Sequence, residues 1–150
     1  MGAKQEQKLL AGAQPFLEPD EEAVAAVVTQ ARGHSQRATS RGLAGGRSER
    51  ENTAAASDAG FAVAFPMALV LTNRRLMSLR ISTPIGLGLG GTVKSVISAV
   101  PLEKVDTIES HVAGIAKTLL VSIGGQSFKL ESNVSANTKE LAEAFAKLKP

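Results

Sequence analysis

The sequence predicts a mainly β domain in which about seven antiparallel strands precede one amphipathic C-terminal helix. Short runs of apolar residues, several of them alternating with polar ones, are separated by tight-turn signals, which is typical of antiparallel strands. Strands and helices do not alternate along the chain, so a parallel sheet is disfavoured. A chain of 150 residues is most simply one domain, spanning 1–150 here, and can bury a core without disulfides or metals.

The N-terminal part predicts one short helix and one strand. Lys4–Ala11 favours a helix that ends near Gly12 and Pro15. Ala23–Ala31 is ambiguous, because its alanines favour helix while its valines and threonine favour strand. We interpret it as the first strand.

Gly33–Gly60 interrupts this pattern. The segment is rich in Gly, Ser and Arg and holds almost no large apolar residue. Such a composition cannot bury enough surface to offset the entropy of ordering. We therefore predict a flexible insertion within the domain at about 33–60.

Met67–Ser82 predicts a hairpin closed by a two-residue loop, Asn73-Arg74. Asn tolerates the positive φ that such turns need. The loop places Val70 opposite Met77 on a face that we predict to lie in the core. That face carries Ala68, Val70, Met77, Leu79 and Ile81. The other face, which we predict to point outward, carries Met67, Leu69, Leu71, Leu76, Ser78 and Arg80.

The second half predicts two strands and a hairpin. Ser95–Val100 and Val105–Val112 read as strands on either side of a turn at Pro101. Within Lys117–Ser132, Gly124-Gly125 predicts a two-residue hairpin turn. The predicted pairs are Leu119 with Leu130, Val121 with Phe128, Leu120 with Lys129, Ser122 with Ser127, and Thr118 with Glu131.

The chain closes with a predicted helix that begins after Asn137. Asn137 suits the N-cap position, and Glu140 stands three residues later, as in a capping box. The apolar stripe, at helical spacing, is Leu141, Ala144, Phe145 and Leu148. This helix is a natural cover for the open end of a sandwich or small barrel.

Composition excludes several function classes. The sequence has no Cys, so it offers no disulfide, thiolate metal site or thiol nucleophile. His34 and His111 have no partners at metal-ligand spacing, so we expect neither a metal site nor a cofactor. A net charge of +3 with five Phe and no Trp or Tyr argues against nucleic-acid binding. No serine elbow or singled-out acid pair indicates an enzyme.

The run Gly86–Gly91 matches G-x-G-x-x-G, the pattern of dinucleotide-binding loops. That interpretation needs a helix directly after the run, whereas the β-branched residues that follow favour a strand. A flexible connection is the simpler interpretation. A third is that Ile85, Leu87 and Leu89 form an apolar tip, flanked by Arg80 and Lys94, that contacts a membrane or a partner groove.

Three stretches resemble bacterial pleckstrin-homology-like domains and the related GRAM domains. They are Thr72–Leu76 (TNRRL), Pro101-Leu102-Glu103, and Lys117–Ser132 followed by a short final helix. The resemblance covers roughly Met67–Lys149, with Ala23–Ala31 as the first strand. It implies a seven-stranded antiparallel sandwich or barrel capped by the helix. It also implies a binding or scaffold module without catalysis, and the insertion departs from the compact pattern.

The resemblance leaves two functional hypotheses open. The first is a protein-binding or self-associating module that uses the outward face of the first hairpin, namely Leu69, Leu71 and Leu76. The second is binding of anionic lipid or phosphate groups through loop and hairpin cations. The candidate residues are Arg32, Arg37, Arg41, Arg74, Arg75, Arg80 and Lys94, with Ile85, Leu87 and Leu89 as apolar contacts.

The N-terminal residues are polar, so the sequence does not predict a signal peptide. The longest apolar run, Phe61–Leu71, has 11 residues and is too short to predict a membrane span. We expect a cytoplasmic location, with peripheral attachment to an anionic membrane surface as the alternative.

Overall fold

The structure is a computed structural model that describes residues 2–31, 42–63, 67–82, 92–113, 116–133 and 137–148. The helices are α1 (Gly2–Ala13), α2 (Gly42–Asp58) and α3 (Thr138–Leu148). The strands are β1 (Ala23–Ala31), β2 (Met67–Thr72), β3 (Arg75–Ile81), β4 (Val93–Pro101), β5 (Val105–Ala113), β6 (Ala116–Ile123) and β7 (Gln126–Asn133). Short 3-10 turns occupy Gln14–Phe16 and Leu102–Lys104.

Seven antiparallel strands form two sheets in the order β4-β3-β2-β1-β7-β6-β5. The strand β1 joins the sheets, because Ala23–Thr29 pair with β2 while Gln30 and Ala31 pair with β7. The helix α3 packs against β5, β1 and β6. This confirms the predicted mainly β class, the first strand, the short N-terminal helix and the C-terminal helix.

Both predicted hairpins have the predicted register. In the first, Val70 pairs with Met77 and Ala68 with Leu79. In the second, all five predicted pairs are present, from Thr118 with Glu131 to Ser122 with Ser127. Gly124 and Gly125 adopt φ of 56° and 86°, the left-handed values that a tight two-residue hairpin turn requires. Local turn chemistry and alternation are therefore sufficient to set these pairings.

The interior between the sheets is filled by large apolar side chains. Leu69, Leu71 and Leu76 from the first hairpin lie there beside Phe128 of β7 and Phe145 of α3. Each of the three leucines is 0% exposed. The prediction that they face outward as an interaction surface is therefore wrong.

The predicted core face is buried as expected, and only the outward assignment fails, because the first hairpin is buried on both sides. Its second face, which includes Val70, Met77 and Leu79, packs against Leu9 and Ala13 of α1. Ser78, whose polarity suggested an outward face, is 0% exposed. Its Oγ lies 2.7 Å from the hydroxyl oxygen of Ser98 on β4. A buried hydroxyl with such a partner is compatible with a core position, so polarity alone misidentified the face.

The prediction of a flexible insertion at about 33–60 is also wrong over α2. The 17-residue helix ends at Asp58 and is followed by Gly60, whose φ of 84° is left-handed. There, Gly60 N donates to Ser57 O and Phe61 N to Ala56 O, which is the hydrogen-bond pattern of a Schellman cap. Ala56 is buried, and the Phe61 ring stacks on Phe128 with centroids 5.6 Å apart. Small side chains suffice here because they let the helix approach the barrel closely.

The predicted C-terminal helix has the predicted apolar stripe. Leu141 and Phe145 are buried in the main core, and Ala144 and Leu148 pack against it. Asn137 precedes the helix and its carbonyl accepts from Leu141 N at 3.1 Å. Its side-chain amide donates to Glu6 Oε1 of α1 at 3.2 Å. The two terminal helices are thereby linked.

Candidate interaction surfaces

The closed end of the first hairpin holds a buried ion pair. Glu21, in the segment before β1, accepts from Arg75 Nη2 at 2.6 Å and from Arg75 Nε at 2.9 Å. Its carboxylate also accepts from the Thr72 hydroxyl at 2.6 Å. The Glu21 side chain is 0% exposed and that of Arg75 24%. A bidentate pair of this kind holds the N-terminal segment against the hairpin.

These contacts determine the protonation of Glu21. The Arg75 hydrogen bonds are the main cause that lowers the pKa of Glu21 from 4.5 to about 2, and the Thr72 hydroxyl and Glu18 N–H act in the same direction. Burial of the carboxylate opposes them. Glu21 is therefore ionised at any physiological pH. The same pairing raises the pKa of Arg75.

The neighbouring Arg74 lies outside this cluster. Its guanidinium pairs with Asp20, and its Nη1 lies 3.5 Å from Glu18 Oε2. These side chains are about half exposed, with Arg74 at 45% and Asp20 at 68%. An anionic ligand would have to displace carboxylates from both arginines of the hairpin. Their predicted role in ligand binding stays a prediction.

Arg80 and Lys94 lie together on the exposed end of the β3–β4 pair. Arg80 pairs in register with Ser95, and Lys94 is the extra residue of a bulge between Ser95 and Val93. Both side chains are exposed. Within the described part of the chain, neither forms an ion pair with a carboxylate. These two cations are therefore accessible to an anionic group.

Six of the predicted contact residues lie outside the described residues. They are Arg32, Arg37 and Arg41 near the start of the insertion, and Ile85, Leu87 and Leu89 of the glycine-rich run. Gly86–Gly91 lies outside them as well. The segment that follows this run is strand β4, as predicted, and not the helix that a dinucleotide site requires.

Exposed valines occur on three strands. Val24 on β1 is 41% exposed, Val96 on β4 is 40% and Val112 on β5 is 67%. Val24 also lines a shallow groove of about 460 Å³ together with Ala144 and Leu148 of α3. Glu140, Glu143 and Lys147 line the same groove. The sequence pattern does not reveal the exposure of Val112, because apolar and polar residues alternate less regularly along its strand than along the others.

Over residues 2–31, 42–63, 67–82, 92–113, 116–133 and 137–148, the structure brings no three His, Cys, Asp or Glu side chains together in a way that could hold a metal. No helix within the same ranges is long and apolar enough to cross a bilayer. The acids of the hairpin cluster, Glu18, Asp20 and Glu21, are engaged by arginines.

Comparison with known proteins finds no matching family model and no matching curated protein. The chain is similar to a solved DUF1696 family protein with a pleckstrin-homology domain from Shewanella loihica PV-4. That match has 15% identity and a TM-score of 0.48, and covers 96% of this chain and 92% of the other. It is also similar to a pleckstrin homology domain from Shewanella amazonensis SB2B, with 15% identity, a TM-score of 0.48, and 96% and 87% of the two chains covered.

The architecture of the chain itself defines its class. Seven antiparallel strands in two sheets, with a C-terminal helix on the core, form the pleckstrin-homology-like arrangement that the sequence resemblance implied. A fold does not name a ligand or partner, so the function has to be argued from the surfaces described above.

Proposed function

We propose that this chain is a non-catalytic pleckstrin-homology-like binding module that acts through protein–protein contacts, including contacts between its own copies. The observation that carries the proposal is the exposure of Val96 and Val112 on β4 and β5, the two strands at the ends of the sheet order. Exposed apolar residues beside unpaired strand edges favour association with another polypeptide.

The filled interior supports the same proposal. Leucine, valine and phenylalanine side chains from both sheets and from α3 occupy the space between the sheets. A ligand would therefore have to bind on the outside of the barrel. The outside offers strand edges and a shallow groove, which suit a polypeptide better than an enclosed small molecule.

Light scattering coupled to size exclusion, over a range of protein concentration, tests self-association. We expect the mass to rise above that of the 15.6 kDa chain, and Val96→Asp or Val112→Asp to lower it. Photo-crosslinking groups placed at positions 96 and 112 in cells would capture other protein partners. A monomer at every concentration, together with no specific crosslink at either position, would refute the proposal.

A second candidate function is binding of an anionic lipid headgroup. It is favoured by the exposed cations Arg80 and Lys94, which form no ion pair with any carboxylate of the described residues. Sedimentation with phosphatidylserine vesicles at low and high salt tests it. We expect salt-sensitive binding that the double variant Arg80→Gln, Lys94→Gln weakens. The control variant Lys104→Gln, Lys129→Gln removes the same charge elsewhere and should bind as the unmodified protein does. An equal loss of vesicle binding in both double variants would show that net charge alone causes the binding, and would refute a site at Arg80 and Lys94.

A further inference from the structure

The strand β5 offers the more regular of the two sheet edges. Among the described residues, it pairs with β6 alone, in unbroken register from Thr107 to Ala113. The other end strand, β4, is interrupted by two irregularities in its pairing with β3. Its Ser98 hydroxyl also accepts from Ala62 N at 3.0 Å. Bulges blunt an edge, whereas a regular edge accepts another strand. On β5, the Ser110 hydroxyl donates to Thr138 Oγ1 of α3 at 3.1 Å, a side-chain contact that does not use the backbone groups of the edge.

The register shows which backbone groups of β5 point outward. The two-residue turn at Gly124-Gly125 makes Ile123 and Gln126 a hydrogen-bonded pair. Alternation along β6 then directs the backbone groups of Thr118 and Leu120 toward their β5 partners His111 and Glu109. The intervening β5 residues therefore direct their N–H and C=O groups away from β6. These residues are Ile108, Ser110 and Val112.

A second copy of β5 could pair antiparallel with this edge only in registers that align outward-pointing residues. A two-fold axis at Glu109 would place the two Glu109 carboxylates opposite each other. An axis at His111 would place two imidazoles opposite each other. An axis at Ser110 instead places Glu109 opposite the partner's His111, twice, and Ile108 opposite the partner's Val112, twice. Hydrogen-bonding and apolar pairs across strands stabilise, while two carboxylates directly opposite each other destabilise.

We propose that two copies of this chain associate by antiparallel pairing of β5 with β5 across a two-fold axis at Ser110. This inference rests on the proposed function and names the surface of self-association. Val112, 67% exposed in the single chain, then lies beside the partner's Ile108. Glu109 and His111, both exposed, face each other across the axis on the outer side of the sheet, where the carboxylate can accept a hydrogen bond from the imidazole N–H. The contact between two strand edges is small, so we expect a weak dimer whose population rises with protein concentration.

Charge exchange tests the register. His111→Glu places two carboxylates opposite each other at two symmetric positions, and we expect the dimer dissociation constant to rise about tenfold. Glu109→Lys should weaken the dimer in the same direction. The double variant Glu109→Lys, His111→Glu places opposite charges across the axis and should return the dissociation constant to near that of the unmodified protein. Sedimentation velocity gives these constants, and far-UV circular dichroism checks that each variant is folded.

A cysteine crosslink tests the axis independently. The chain contains no Cys, so Ser110→Cys introduces a single thiol that meets its own symmetry copy. Opposed residues of a hydrogen-bonded pair lie about 5.5 Å apart at Cα, within the range of a disulfide. We expect Ser110→Cys to oxidise to a covalent dimer. Thr107→Cys, on the same strand but opposite the partner's Ala113, should not.

Three results would overturn the inference. If the protein self-associates but Ser110→Cys crosslinks no faster than Thr107→Cys, or charge exchange fails to restore the dimer, β5 pairing is wrong while the proposed self-association stands. If the protein is monomeric and the β5 variants block crosslinking of a different protein, the edge takes a foreign strand and no second copy. If it is monomeric without such a partner, the edge is unused, and crosslinking at position 96 alone decides the proposed function.

Discussion

Replacing Glu21 by Gln should lower the free energy of unfolding by about 3 kcal/mol at neutral pH, because it breaks a buried pair and leaves a cation uncompensated. The side chain of Glu21 is 0% exposed and accepts hydrogen bonds from Arg75 and Thr72. Gln has the same shape but carries no charge, and its amide N–H₂ would face donors. The guanidinium of Arg75, 24% exposed, would lose its carboxylate.

The pKa of Glu21 provides a second route to the same magnitude. A carboxyl that titrates near 4.5 in the unfolded chain and at about 2 in the folded protein stabilises the fold by about 3 kcal/mol at neutral pH. Because the folded pKa is the lower one, this stability is fully present above 4.5. It is lost as the pH falls from about 4.5 to about 2. The difference between the unmodified protein and Glu21→Gln should therefore shrink across that window.

Urea unfolding at a series of pH values measures both effects. Far-UV circular dichroism is the suitable signal, since the chain has no Trp or Tyr. Asp20→Asn is the matched control, because it breaks the neighbouring ion pair between Asp20 and Arg74. The side chain of Arg74 is 45% exposed and that of Asp20 is 68% exposed. That control should change stability by no more than about 1 kcal/mol. A Glu21→Gln protein as stable as the unmodified one at pH 7, or a difference that persists at acid pH, would refute the reasoning.

Two further predictions concern the core and α2. Leu71→Ala should lower the free energy of unfolding by about 2–5 kcal/mol, because Leu71 is 0% exposed. Val112→Ala, at a residue 67% exposed, should lower it far less. Equal losses in urea unfolding would contradict the burial of Leu71 in the main core. Asn52→Ala removes the oxygen that accepts from Lys129 N at 2.7 Å and should cost about 1 kcal/mol. Hydrogen exchange should quicken at the Lys129 amide while that of Leu130, paired with Leu119 on β6, is unchanged; a Lys129 amide unaffected by the change would show that α2 does not cap β7.

Local patterns in the sequence were sufficient for the hairpins and the last helix. A two-residue turn at Gly124-Gly125 leaves one natural register, and alternation then assigns every pair from Leu119–Leu130 to Ser122–Ser127. Helical spacing likewise identifies Leu141 and Phe145 as the buried face of α3. These features depend on residues close in the chain, where turn geometry and side-chain period leave little choice.

The ion pair at the end of the first hairpin could not be read from the chain. Glu21 and Arg75 stand 54 residues apart, and Glu21 belongs to no motif. The sequence shows an acid among other acids and an arginine at an exposed-looking turn. The pairing follows from the path of the segment before β1, which brings Glu21 under Thr72. In the sequence, Arg75 looks like a free cation that could bind a ligand, because its partner Glu21 lies far away along the chain.

By itself, the sequence determined the pairing within the two hairpins, the mainly β class and the amphipathic final helix, because turn chemistry and hydrophobic period are local properties. Only the tertiary structure decided which face of the first hairpin lies inside. Both of its faces are largely apolar, so the hydrophobic period cannot show which face lies between the sheets. The helix α1 covers the face that a single sheet would place in the core. The same holds for α2, whose buried Ala56 belongs to the same core cluster as the stacked Phe61 and Phe128.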